Sequence, residues 1–179
     1  MSSSRKMVVA LQDCPARLVP VGTKITIKKD TFVTITQDLG GNYTVVVNGN
    51  MARVDGTDAG ALGLKAEALE FPEVDTKEIL EEHVWTALKS IFDPEIPVNL
   101  VDLGLIYKVS IEQSAKKVNV LMTLTAAGCG MGPVLVSDVK YRVAKVPNVN
   151  DVDVDLVFDP TWNRDMMSDE AKLETGMFF

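Results

Sequence analysis

Cysteine and histidine are almost missing from this chain of 179 residues: Cys14, Cys129 and His83 are the whole supply. A single histidine excludes a His-rich metal site within one chain and leaves one candidate for an imidazole base. Neither cysteine belongs to a Cys-x-x-Cys pair, so a zinc knuckle and a dithiol redox site both lack their spacing. A disulfide between residues so far apart is not expected in a reducing cytosol. Long apolar runs are also missing, and none approaches the ~20 residues that cross a bilayer. The apolar stretch behind residues 1–6 breaks at Gln12-Asp13-Cys14-Pro15, too soon for a secretory leader. The expected setting is cytoplasmic, with no membrane partner. A basic patch of the kind that binds duplex is absent too. Net charge is −7 and the pI about 4.7, so nothing is offered to displace counterions from phosphates, and nucleic acid is not an expected partner.

What remains is enough apolar material for a core, 46% of residues. Two regions differ in texture. In the first, Ile25 and Ile27 alternate with Lys24, Thr26 and Lys28, and Val33 and Ile35 with Thr34 and Thr36. A hairpin loop is expected at 38–42, a strand at 43–47 and a turn at Asn48-Gly49-Asn50, which together suggest a curled sheet or small barrel. The chain then loosens over 55–63, and Glu70-Phe71-Pro72-Glu73 reads as a boundary. The expected domains are 1–72, a small β module, and 73–179.

The second region opens with a helix, its stripe Leu80, Val84, Ala87, Leu88 and Ile91, its cap Asp75 with Glu78 three residues on, and its stop at Asp93-Pro94. Two strands follow: Leu105, Tyr107, Val109 and Ile111 are expected on one face, and Val118, Val120, Met122 and Leu124 on the next. The short polar turn at 113–117 makes them an antiparallel hairpin. A second helix with Pro133 in its first turn carries Leu135, Val139, Val143 and Val146. A last strand sets Val152, Val154, Leu156 and Phe158 against Asp151, Asp153, Asp155 and Asp159. The order helix, strand, strand, helix, strand gives a compact α+β domain with a mixed sheet.

Chemistry concentrates at Cys129, in a glycine-rich loop between an expected strand end and an expected helix start. There unpaired N–H groups and the helix dipole favour a thiolate. Gly128, Gly130 and Gly132 permit close backbone approach, and Thr125 precedes the loop. The same cysteine also fits a small apolar residue at a tight turn. Asp93, Glu95 and Asp102 cluster around a proline-stiffened loop and suit metal binding, proton steering or partner docking, or simply turn capping. His83 reads as packing or surface and Trp162 as a cover over the sheet. The Asp-x-Asp-x-Asp strand lacks the glycine and glutamate of a calcium loop.

Three blocks are similar, in order, to the PaaD-type metal–sulfur cluster biosynthesis family. They are Asp93-Pro94-Glu95-Ile96-Pro97 with Asp102-Leu103-Gly104-Leu105-Ile106; Thr123-Leu124-Thr125 with Gly128-Cys129; and Pro160, Trp162 and Met166-Met167-Ser168-Asp169-Glu170-Ala171-Lys172. Asp13-Cys14-Pro15-Ala16, the stretch from Ile35 through Gly40-Gly41-Asn42 to Val45, and Asp58-Ala59-Gly60-Ala61-Leu62-Gly63 resemble the extra N-terminal region of some members. So does Gly128-Cys129-Gly130-Met131-Gly132-Pro133.

The resemblance implies an accessory factor in iron–sulfur cluster assembly, not an enzyme, with the reactive cysteine at Cys129 and the acidic loop at Asp93, Glu95 and Asp102. Ala127 stands where the pattern leads one to expect proline. The implied cargo is an iron–sulfur cluster, transiently bound. The implied partners are client apoproteins and other assembly proteins. Such clusters usually take four thiolates, and two cysteines cannot supply them. A symmetric homodimer would place two copies of Cys129 about its axis, with Cys14, Glu95 or an external thiol completing the shell. A thiol enzyme using Cys129 and a docking module that binds no metal are the competing expectations.

Overall fold

The computed structural model describes residues 5–39, 41–93, 96, 98–126 and 132–176, in two units, Met1–Leu69 and Glu70–Phe179. In the first unit six strands form one antiparallel sheet: β1 (Lys6–Val9), β2 (Cys14–Leu18), β3 (Lys24–Ile27), β4 (Phe32–Leu39), β5 (Asn42–Val47) and β6 (Asn50–Asp55), in the order β1-β4-β5-β6-β2-β3. Period-two alternation buries Val33, Ile35, Val45, Val47, Ala52 and Val54 together with Cys14, Ala16 and Ile27. The expected loop at 38–42 is tighter, because Asp38 pairs with Tyr43 and Leu39 with Asn42. No ladder joins β1 to β3 among the described residues, so the sheet is open with those strands as its edges.

Alternation in the sequence did not announce β1, β2 or β6. The stretch expected to loosen is a 3-10 helix, Gly56–Leu62. It is capped by the Asp55 carboxylate accepting from the Thr57 N–H at 3.0 Å and closed by Gly63 at φ 74°.

The second unit holds α1 (Glu81–Lys89), β7 (Ile106–Glu112), β8 (Lys117–Met122), α2 (Gly132–Val143), β9 (Asp151–Leu156) and α3 (Asp169–Thr175). β7 pairs with β8 antiparallel and β9 with β8 parallel, a mixed three-stranded sheet. Val84, Ala87 and Leu88 of α1 and Leu135, Val139 and Val143 of α2 share one apolar core with Val118, Val120 and Met122. Each buried Val, Leu or Met side chain among them contributes roughly 1.5–3 kcal/mol.

Two expectations need correction. First, α1 begins at Glu81, with Leu80 as a cap lacking any side-chain bond, so Asp75 and Glu78 do not form its capping box. The Thr76 hydroxyl accepts from the Glu78 N–H at 3.1 Å, which is a local turn. The Gln113 amide takes both the N–H and the C=O of Ile79, each at 2.9 Å, and Asn148 Nδ2 donates to the carbonyls of Thr76 and Glu78. Those backbone groups are spent before a helix could use them. At its other end, α1 stops at Lys89, with Ser90 donating to the Ala87 carbonyl at 2.5 Å, ahead of Pro94.

Second, the face Leu105, Tyr107, Val109, Ile111 is broken by a bulge between Ile106 and Lys108. Ile106, Val109 and Ile111 pack on the core, whereas Tyr107 turns its hydroxyl to the Pro160 carbonyl at 2.6 Å.

Beyond β9 the chain returns across the 99–104 loop. Trp162 packs on the core and donates Nε1–H to the Leu103 carbonyl at 2.7 Å, and the Ser168 N–H donates to the Asp102 carbonyl at 2.7 Å. Gly104 holds φ 78°, and a Cβ there would stand 2.3 Å from the Met166 carbonyl oxygen. Gly104→Ala is therefore expected to lower unfolding free energy by at least ~2 kcal/mol in urea titration. A parent-like midpoint would show that this crossing gives way freely.

Candidate functional site

β8 ends at Met122 and α2 begins at Gly132, and α2 returns the chain to β9, parallel to β8. Of the residues expected to matter in that connection, Gly128, Cys129 and Gly130 lie outside the described residues, as does Glu95 of the acidic loop. Thr125 is described and half-buried. Before it stands Thr123, at the end of the strand region. Its N–H donates to the Leu105 carbonyl at 2.9 Å, it is fully enclosed, and its hydroxyl has no partner among the described residues. Gly132 is buried at the start of α2, where a Cβ would meet Leu124 Cδ1 at 2.9 Å.

The two described carboxylates of the acidic loop each close a turn of their own. Asp93 is buried, and its Oδ1 accepts from the Ile96 N–H at 3.0 Å while its own N–H donates to the Val98 carbonyl at 3.1 Å. Asp102 Oδ2 accepts from Asn99 Nδ2 at 2.5 Å, and Asn99 Oδ1 accepts from the Asp102 N–H at 2.9 Å. Among the described residues, no group of three His, Cys, Asp or Glu side chains is arranged to hold a metal ion. His83 is buried with its ring centroid 5.4 Å from that of Phe71, so its setting is packing. Asp138 and Arg142 went unremarked in the sequence although both are fully buried on α2; Arg142 donates to the Ser90 carbonyl at 2.9 Å. Their spacing of four, inside the stripe of Leu135, Val139 and Val143, was the available signal.

Cys14 needs a correction. It sits in β2 opposite Ile27 with no solvent exposure, and its thiol donates to the Pro15 carbonyl at 3.5 Å. Burial, with a smaller push from the Asp58 carboxylate, raises the thiol to about 11. A metal ligand must be a reachable thiolate, and Cys14 is enclosed, with burial holding its thiol toward the neutral form.

Because folding favours the neutral Cys14 thiol, its contribution to stability is intact below pH about 9 and lost as pH climbs toward about 11. Urea midpoints across that window are expected to fall further for the parent than for Cys14→Ala; parallel curves would contradict this. Thr123→Val removes an unpartnered hydroxyl while keeping its shape. It is expected to stabilise the fold by ~1–2 kcal/mol, read as a raised melting temperature, and a lowered one would mean the hydroxyl is satisfied after all.

The pattern of a family described as iron–sulfur cluster assembly protein matches residues 81–156, inside the second unit. A Porphyromonas gingivalis protein named Fe-S protein maturation auxiliary factor is 48% identical over 96 residues, 54% of this chain and 90% of that one. The Bacillus subtilis factor YitW is 40% identical over 101 residues, 56% of this chain and 98% of its own length. The Staphylococcus aureus factor SufT is 41% identical over 87 residues, 49% and 98% respectively. About half of this chain therefore has no counterpart in these relatives. Among solved structures, a domain of unknown function, DUF59, from Bacillus anthracis matches with TM-score 0.52 at 37% identity, covering 54% of this chain and 92% of that one. A conserved hypothetical protein of Thermotoga maritima matches with TM-score 0.50 at 37% identity, covering 56% and 98%. With nine-tenths or more of each of these relatives covered at such identities, the chain belongs to the iron–sulfur cluster assembly protein family, among its Fe-S protein maturation auxiliary factors.

Proposed function

We propose that this protein carries or transfers a labile iron–sulfur cluster to client apoproteins, with Cys129 as the protein ligand. The observation that carries the reading is the enclosure of Cys14. Once that thiol is discounted, Cys129 is the one other thiol in the sequence. In sequence it stands three residues before Gly132, the first residue of the 12-residue α2, and a thiol near a helix N-terminus is favoured as thiolate. One thiolate per chain under-ligates a cluster that prefers four. The cargo is then shared across a symmetric dimer or with small external thiols, and is held loosely enough to hand on. Gly128 and Gly130, which lack a Cβ, and Thr125 before them belong to the proposed site, with Glu95 as a further ligand.

A second reading, a client-docking module that binds no metal, is supported by Asp93 and Asp102, whose carboxylates are engaged in shaping their own loop. Anaerobic reconstitution with iron and sulfide separates the two. The parent protein is expected to gain charge-transfer absorbance and to activate an iron–sulfur apoprotein, with Cys129→Ser at background in both. Equal colour in mutant and parent would remove Cys129 from the ligand set. Full activation by colourless protein would establish the docking reading instead.

A further inference from the structure

The first unit differs from the rest of the chain in charge. Residues 1–69 hold 8 Lys and Arg against 6 Asp and Glu, a net +2 within a chain of net −7. Lys24, Lys28 and Lys29 gather at β3, the outer strand of its sheet. Leu18 N–H donates to the Thr23 carbonyl at 2.8 Å, and Cys14 and Ala16 stand opposite Ile27 and Ile25 in the same alternating set. Pro15, with no N–H, stands opposite Thr26 in a pair that exchanges none. The peptide N–H and C=O of Thr26 thus point away from β2, toward the open edge. Thr26 is exposed.

Beside that edge is a cavity of about 220 Å³, with Leu18, Ile25, Ile27 and Val47 as apolar walls and Thr31 and Asn50 among its polar ones. No carboxylate lines it, and Lys28 does. Asp13 already shows how an acidic group settles here: its Oδ1 accepts from the Lys29 N–H at 2.9 Å, and its Oδ2 lies 3.6 Å from Lys28 Nζ.

We propose that β3 is a docking edge that takes an extended acidic segment of another protein as an added strand. Main-chain bonds form to Thr26, apolar side chains enter the cavity, and carboxylates meet Lys24 and Lys28. A second copy of this chain is disfavoured as the occupant, because its own β3 would bring the same lysines into opposition.

The test uses the full chain and a fluorescent, acetylated peptide of alternating Glu and Val, with a Lys–Val peptide as counterpart. The acidic peptide is expected to bind saturably and more weakly as salt rises, and the basic one not at all. Thr26→Pro, which removes the outward N–H, and Lys24→Glu are each expected to weaken binding about tenfold at parent-like circular dichroism. Should Thr26→Pro unfold, Lys24→Glu decides alone. Equal binding of both peptides, or parent-like affinity in the folded variants, overturns the proposal. So does a dimer that forms without peptide and is lost in Thr26→Pro, which would make the occupant a second copy.

Discussion

Parallel strands cannot be joined by a tight turn, and β8 runs parallel to β9 from Lys117 opposite Asp151 to Met122 opposite Leu156. The chain must leave the sheet at the end of β8, cross over and come back, and α2 is that crossing. The apolar stripe of α2 closes the core over Val118, Val120 and Met122, and the antiparallel hairpin with β7 supplies the other flank. The glycine-rich segment that holds Cys129 lies in sequence between the end of β8 and the start of α2.

Much of this frame was legible in the sequence. Val118, Val120 and Met122 alternate, Leu135, Val139 and Val143 repeat at helical spacing, and Val152 and Val154 alternate with aspartates, so the α+β architecture and its mixed sheet could be read off directly. What escaped was set by distant partners. The late start of α1 depends on Gln113 and Asn148, residues that nothing in the 75–80 stretch announces. Tyr107 leaves its expected face because of a bulge. β2 was hidden by Pro15, which usually argues against a strand and here occupies a pair that asks for no donor. At the site, sequence singled out Cys14 by its chemical type; its enclosure between β-strands follows from alternation with Ala16, a pattern too short to weigh alone.

Both units also keep charged and polar groups inside. Arg53 and Thr44 are buried across adjacent strands, with the guanidinium donating to the Thr44 hydroxyl at 3.0 Å. Arg142 reaches from α2 to the carbonyl that ends α1. Such contacts add modest net stability. They do, however, fix which turn of one element faces which turn of the next, since a slipped arrangement would strand a buried cation.

The grip of Gln113 on Ile79 makes the entrance to the second unit a remote decision. The amide serves as a one-residue strand partner, taking donor and acceptor together across 34 positions of sequence. The hairpin turn thus helps to set where the preceding segment stops being extended. A fragment cut out around α1 alone would be released from that instruction and free to wind from Asp75.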